Sequence, residues 1–254
     1  MSRLQKIGFV AFVVFVAFAV MFSYLAKSQL IKMPEKPWHM QPFTDADSLT
    51  VEYTGKYELL DRRALLPQFA DSTRTTVAIL VDAWGVPFDE KLLAEDFAIF
   101  KDLPHKEFLH HRLANRTRHA EFAELRHAEF GGVYLFGGDT LEYGRNLYID
   151  TLRYTQKVFC QKCSDSVMLG KLDSLLALDS LFAPEEAKVI ALTSQNSRDG
   201  DRTKLHATLR SIADVARKHS RVRFIIQGTH RPILGDPKIR RESFTHWVPA
   251  MVIN

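Results

Sequence analysis

Cysteine is nearly absent from this chain: two stand among 254 residues, and both lie in FCQKC, as Cys160 and Cys163. No second CxxC and no histidine pair at finger spacing accompanies them, which excludes a complete zinc module. The lone motif leaves a local disulfide, half a metal site and a redox pair open. Thioredoxin-like motifs open a helix directly after a strand, a context that RYTQKV does not supply. In an exported domain a structural disulfide is the expected state. An excess of one charge is missing too. The 34 Lys and Arg against 30 Asp and Glu leave a formal +4, and the basic residues are scattered. Without a basic stripe interleaved with aromatics, nucleic acid is excluded as a partner. There is no internal repeat and no low-complexity tract.

What is present fits one mid-sized globular domain with an appendage, at 46% hydrophobic and 25% charged residues. The appendage is N-terminal. After a flank at 1–6, IGFVAFVVFVAFAVMFSYLA (7–26) carries no charge and is long enough to cross a bilayer of roughly 30 Å. A cleaved signal peptide has a shorter apolar region, so an uncleaved transmembrane anchor is expected, with cleavage near Ala26 as the alternative. Arg3 and Lys6 precede the segment and Lys27, Lys32 and Lys36 follow it, so charge alone does not orient it. Residues 27–72, with KMPEKPWHMQPFTDADS, read as a juxtamembrane stalk in which SLTVEYTGKYELL forms a short strand or hairpin.

From residue 73 to 254, buried strands alternate with amphipathic helices. The strands are TTVAILV, GGVYLFG, AKVIALTS, RVRFIIQG and WVPAMVIN, each a short apolar run bounded by turn residues. The helices are EKLLAEDFAIFKDL, RHAEFAELRHA, YGRNLYIDTLRY, DSVMLGKLDSLLALDSL and RTKLHATLRSIADVARKH. In the last, Leu205, Leu209, Ile212, Ala213 and Ala216 follow helical spacing. This alternation predicts an α/β domain, three layers (α/β/α) around a mainly parallel sheet.

Such folds place their chemistry beyond the carboxyl ends of the strands. Asp82 ends the first strand in VAILVDAWGVP, Thr117 opens a helix in ANRTRHAEFAEL, His230 follows the fourth strand in FIIQGTHRP, and His246 precedes the last in THWVPAMVIN. Singly, each has a structural explanation. Asp82 can close a turn, Thr117 can cap its helix, and the histidines can be satisfied loop or core residues. Glu121 and Glu124 read as a solvated or N-terminal helix face.

Together and in this order, these pieces resemble the alkaline phosphatase superfamily, and most closely its sulfatase-like membrane transferases, the lipoteichoic acid synthases and phosphoethanolamine transferases. AILVDAWG matches a first strand ending in an acidic metal ligand. RTRHAEF matches a T-x-x-x-E-F nucleophile helix, and FGGDTLEYGRNLYIDTLRYTQKVF is similar to an aromatic-rich stretch of the membrane branch. IIQGTHRP matches a G-D-H metal motif imperfectly, and THWVPAMVIN matches H-x-VP. The resemblance spans about residues 73–254 and implies Thr117 as nucleophile. It implies Asp82, Thr117, His230 and His246 around a divalent metal, Zn²⁺ or Mn²⁺ from the donor types, with Arg116, Arg118 and His119 on the substrate's oxygens.

The implied function is a single-pass phosphoryl-group transferase or hydrolase of a bacterial-type inner membrane. Its domain would face the periplasm or cell exterior and act on an envelope glycan or phospholipid, with other envelope proteins as further partners. Departures point to an alternative, an inactive scaffold or interaction subunit of an envelope complex. Thr229 stands where the motif has Asp, and Gln195, Asn196 and Ser197 stand where the synthases have a histidine. The chain is also shorter than typical members. Asp199, Asp201 and His206 suggest a second metal set with His246, but in a different register from the family's.

Overall fold

A run that is apolar on both faces is stable only where a sheet is covered on both faces, and TVAILV, apolar after its first residue, occupies such a place. The computed structural model describes residues 14–21, 52–70, 73–113, 117–125, 132–138, 156–161, 163–178, 189–194, 201–232 and 242–254. The run forms β2 (Thr76–Val81), buried along its whole length. It pairs in parallel with β6 (Val189–Ser194) on one side and β7 (Arg223–Gly228) on the other. Val81 is level with both Ser194 and Gly228, so these three strands end at one edge.

The other strands are β1 (Glu58–Leu60), β3 (His105–His111), β4 (Gly132–Gly138), β5 (Gln156–Gln161) and β8 (Trp247–Ile253). The sheet has the order β1-β3-β8-β7-β2-β6-β4-β5. It is mixed rather than mainly parallel, because β8 runs antiparallel to both β3 and β7. The expectation of a mainly parallel sheet is corrected on this point. An apolar run buried on both faces reads the same in either direction, and direction is decided by the connection. A parallel neighbour needs a crossover back to the far end of the sheet, whereas β8 begins beside the end of β7.

Helices cover both faces. Alternation along β2 sends Val77, Ile79 and Val81 to one core and Ala78 and Leu80 to the other. The first core is closed by α2 (Glu90–Ala98), α4 (Asp165–Leu176) and α5 (Arg202–Lys218), through residues such as Phe97, Leu172 and Leu209. The second is closed by α1 (Leu65–Phe69) and α3 (Thr117–Leu125), through Leu65, Leu66 and Leu125. The three-layer expectation is met. Asp89, Ser164 and Asp201 accept the first free amides of α2, α4 and α5, the usual duty of such residues at a helix start.

Three elements went unread in the sequence. Strand β3, HKEFLHH, buries only its centre, and β5 pairs with β4 alone at the end of the sheet. Neither position demands a long apolar run. Helix α1 and β1 fall within 27–72, and β1 pairs with β3, so this part of the stretch read as a stalk contributes to the sheet. The helix expected at YGRNLYIDTLRY lies outside the described residues.

The chain divides into two units, 1–40 and 41–254. In the first, residues 14–21 are helical, with Phe15 70% exposed. Among the described residues no helix is long and apolar enough to cross a membrane, and the rest of the segment expected to span, 7–26, lies outside them. Cys160, in β5, and Cys163, directly before the N-cap of α4, are joined as a disulfide across a Cα separation of 5.4 Å, so the strand-to-helix context not read in the sequence is present.

Ile79 has no exposed surface and sits in the central strand. Ile79→Ala is expected to cost about 2–5 kcal/mol, read as a lowered urea midpoint with an unchanged slope.

Candidate functional site

Strand ends that are level bring the residues after them side by side. Asp82 follows β2, Thr229 and His230 follow β7, and all three are buried. The Thr229 amide donates to the Val81 carbonyl at 3.1 Å, extending the ladder one step past the strands. Thr229 Oγ1 donates to Asp82 Oδ1 at 3.3 Å, and His230 Nε2 lies 3.1 Å from the same oxygen. His230 Nδ1 is 2.7 Å from the Arg231 carbonyl oxygen. A carbonyl only accepts, so Nδ1 carries a proton and Nε2 turns to the carboxylate. Nε2 and Oδ1 thus face one another across 3.1 Å, a nitrogen and an oxygen of the kind that ligate a divalent cation. A backbone carbonyl that fixes Nδ1–H is also what orients a metal-binding imidazole.

The turn beyond β2 is held in an unusual shape. Ala83 has φ 58°, the left-handed region that a residue with a Cβ rarely adopts. Close approaches follow from it. A Cβ on Gly228 would lie 1.9 Å from the Trp84 carbonyl oxygen, and one on Gly85 would lie 2.6 Å from Arg231 Cα. Glycine is therefore required at both places for the two site turns to touch. Behind them the Trp84 indole donates to Asp96 Oδ2 at 3.0 Å, while Arg202 Nη2 and His206 Nε2 reach Asp96 Oδ1 at 2.7 and 2.8 Å. Burial raises the pKa of Asp96, and Arg202, Trp84 and His206 oppose that rise.

Asp201 and His206, which the sequence offered as a second metal set only in a register different from the family's, have other partners here. Asp201 caps α5 through the amides of Thr203 and Lys204, and His206 serves Asp96. Asp199 lies outside the described residues.

His246 reaches the same edge because β8 is antiparallel and starts where β7 and β3 end. The Arg112 amide donates to its carbonyl at 2.9 Å, and its ring stacks on His111 with centroids 5.5 Å apart. Two strand spacings, about 10 Å, separate β8 from β2. Among the described residues no group of three or more His, Cys, Asp or Glu side chains is placed to hold a metal. The Asp82–His230 pair has the donor chemistry and orientation of half such a site, and in that measure it fits a divalent ion. Thr117 is the first residue of α3, between β3 and β4. Arg116 lies outside the described residues, and for Thr117, Arg118 and His119 only the place in α3 is described.

Helix α3 holds a feature the sequence reading missed. Glu121 and Glu124 are 3% and 1% exposed, not a solvated face. Glu124 Oε1 accepts the Leu66 amide, at the start of α1, where the helix's own N-cap residue Ala64 offers no side-chain bond. Burial pushes the Glu124 carboxyl up to about 7, against the lowering effect of the Leu66 and Leu65 amides. From β3, His110 Nε2 meets the Arg63 carbonyl at 3.0 Å, and burial lowers its pKa to about 4. The spacing Thr117, Glu121, Glu124 was the available signal, since positions i, i+4 and i+7 share one helix face.

These features define an α/β domain with an acid–imidazole pair at its strand ends. No protein-family model and no curated sequence matches the chain. Solved structures do match its fold. A protein in the alkaline phosphatase superfamily from Vibrio parahaemolyticus aligns with a TM-score of 0.54 at 12% identity, covering 73% of this chain and 61% of that one. The chain thus spans less than two thirds of that protein's length. The phosphoglycerol transferase GacH of Streptococcus pyogenes, in complex with sn-glycerol-1-phosphate, aligns at 0.46 and 11% identity, covering 71% and 68%. The C-terminal periplasmic domain of EcEptC from Escherichia coli aligns at 0.48 and 9%, covering 72% and 73%. The chain has the fold of the alkaline phosphatase superfamily.

The folded-state pKa of Glu124 lies above its ordinary 4.5. Its protonated form therefore contributes stability that is full below pH 4.5 and is lost as pH rises to about 7. Glu124→Gln removes this dependence. The stability of wild type minus variant is expected to fall by on the order of 3 kcal/mol across that window, measured by urea unfolding at a series of pH values.

Proposed function

We propose that this chain is a phosphoryl-group transferase or hydrolase, anchored in a membrane by residues 7–26. Its domain would face the periplasm or cell exterior and act on an envelope glycan or phospholipid. The observation that carries the reading is the buried Asp82–His230 pair at the ends of β2 and β7, in a fold shared with the alkaline phosphatase superfamily. Asp82 and His230 would hold a divalent ion, Zn²⁺ or Mn²⁺, with Thr117 and His246 as further ligands. Bound there, the metal would lower the pKa of the Thr117 hydroxyl and polarise the phosphoryl group. The Arg231 carbonyl keeps the His230 proton on Nδ1 and so presents Nε2 to the site. Thr117, at the start of α3, is the nucleophile, and a helix N-terminus favours an anionic group beside it. Arg116, Arg118 and His119 would hold the substrate's oxygens.

One observation favours a second reading, an inactive scaffold or interaction subunit of an envelope complex. Thr229 points a neutral hydroxyl at Asp82 at a position where a carboxylate would add a charged metal ligand.

The detergent-purified protein is expected to contain Zn²⁺ or Mn²⁺ by elemental analysis. Thr117→Ala should reduce turnover of an aryl phosphate or a phospholipid to the uncatalysed background. A metal-free protein whose behaviour is unchanged in that variant would establish the second reading. Thr229→Asp separates the two further: stronger metal binding marks a decayed site, and loss of existing activity marks one adapted to threonine.

A further inference from the structure

We propose that a cavity beside this edge, between the first turns of α2 and α5, binds small organic cations that carry an apolar body. It encloses about 410 Å³, within the range of small-molecule sites. Ala83 and Gly85 form one wall and Pro232 another, so it adjoins the turns that hold Asp82 and His230. None of the residues of the candidate metal set lines it.

The interior is apolar, built from Pro87, Phe88, Leu92 and Leu205. Phe88 is fixed edge-on against Phe244, with centroids 4.8 Å apart, yet 42% of its surface is open. An aromatic ring that is held in place but uncovered offers a cation–π contact to an ammonium group. Ser243, only 8% exposed, also lines the cavity.

The charges around the cavity select the sign of the occupant. Asp89, Asp201 and Glu242 contribute three carboxylates. Lys204 reaches Asp201 at 3.8 Å, which leaves Asp89 and Glu242 uncompensated among the described residues. Among the described lining residues the cation is Arg202, whose Nη2 is committed to Asp96 and to the Leu92 carbonyl, each at 2.7 Å. Two helix starts would ordinarily attract an anion, but Asp89 already receives the Lys91 amide, and Asp201 those of Thr203 and Lys204. Among the described lining residues carboxylates outnumber cations three to one, which disfavours an anion. A cation finds carboxylates, a ring and a hydroxyl around an apolar floor.

The test is isothermal titration of the full chain in detergent, with a metal chelator present, using benzyltrimethylammonium, benzyl alcohol and benzoate. The ammonium is expected to bind at least about tenfold more tightly than benzoate. Glu242→Lys, a substitution at an exposed position, is expected to reverse that order. Leu205→Trp fills the cavity and is expected to abolish binding. Asp82→Asn is expected to leave ammonium binding unchanged, which keeps this proposal separable from the metal-site reading. Equal binding of benzoate, or ammonium binding untouched by Glu242→Lys, would overturn it. Loss of binding in Asp82→Asn would do the same, by assigning the cation to the Asp82–His230 pair.

Discussion

Asp96 has no exposed surface, and a carboxylate taken out of water is stable only where donors surround it. Its donors come from two places remote in sequence: the Trp84 indole from the turn after β2, and Arg202 and His206 from the first turns of α5. The carboxylate is satisfied only when both have arrived. Trp84 lies two residues beyond Asp82, with the left-handed Ala83 between them, so satisfying Asp96 also sets the direction in which the chain leaves β2. The strain at Ala83 is borne by this anchor. The position of Asp82 against His230 therefore depends on a buried hydrogen-bonded group on the helical side of the first core, away from any reacting atom.

The mixed sheet does a related job at the other flank. Because β8 enters antiparallel between β3 and β7, its start lies among the ends of its neighbours. His246 and the ends of β3 and β7 thus share one edge although they come from distant parts of the chain. In an all-parallel sheet of the same order, the residue preceding the last strand would lie at the opposite edge. The reversal of one strand gathers the polar loops together.

Strands buried on both faces were legible in the sequence because their burial favours an unbroken apolar centre, as in VAILV and FII. HKEFLHH was not, since only Phe108, Leu109 and His110 of β3 are fully covered and the pattern carries no period. The direction of β8 was illegible for a different reason, its run being symmetric with respect to burial. Asp82 and His230 were visible as polar residues directly after apolar strands. Glu124 was misread because an acid on a helix is ordinarily solvated, and only the tertiary structure shows the amides that it meets. Asp201 and His206, residue types that also ligate metals, serve a helix cap and a buried carboxylate.

The bond between Glu124 and the start of α1 also bears on how the domain assembles. Helix α1 has five residues, too few to persist alone, and its side-chain acceptor comes from 58 residues further along the chain. Its first turn is therefore capped by α3 and not by its own flanking residue. The contact is non-local, of the kind whose loop-closure cost precedes its reward. The start of α1 and the helix that begins at Thr117 thus complete one another across 58 residues of chain, so a change at Glu124 is felt at a helix it does not adjoin in sequence.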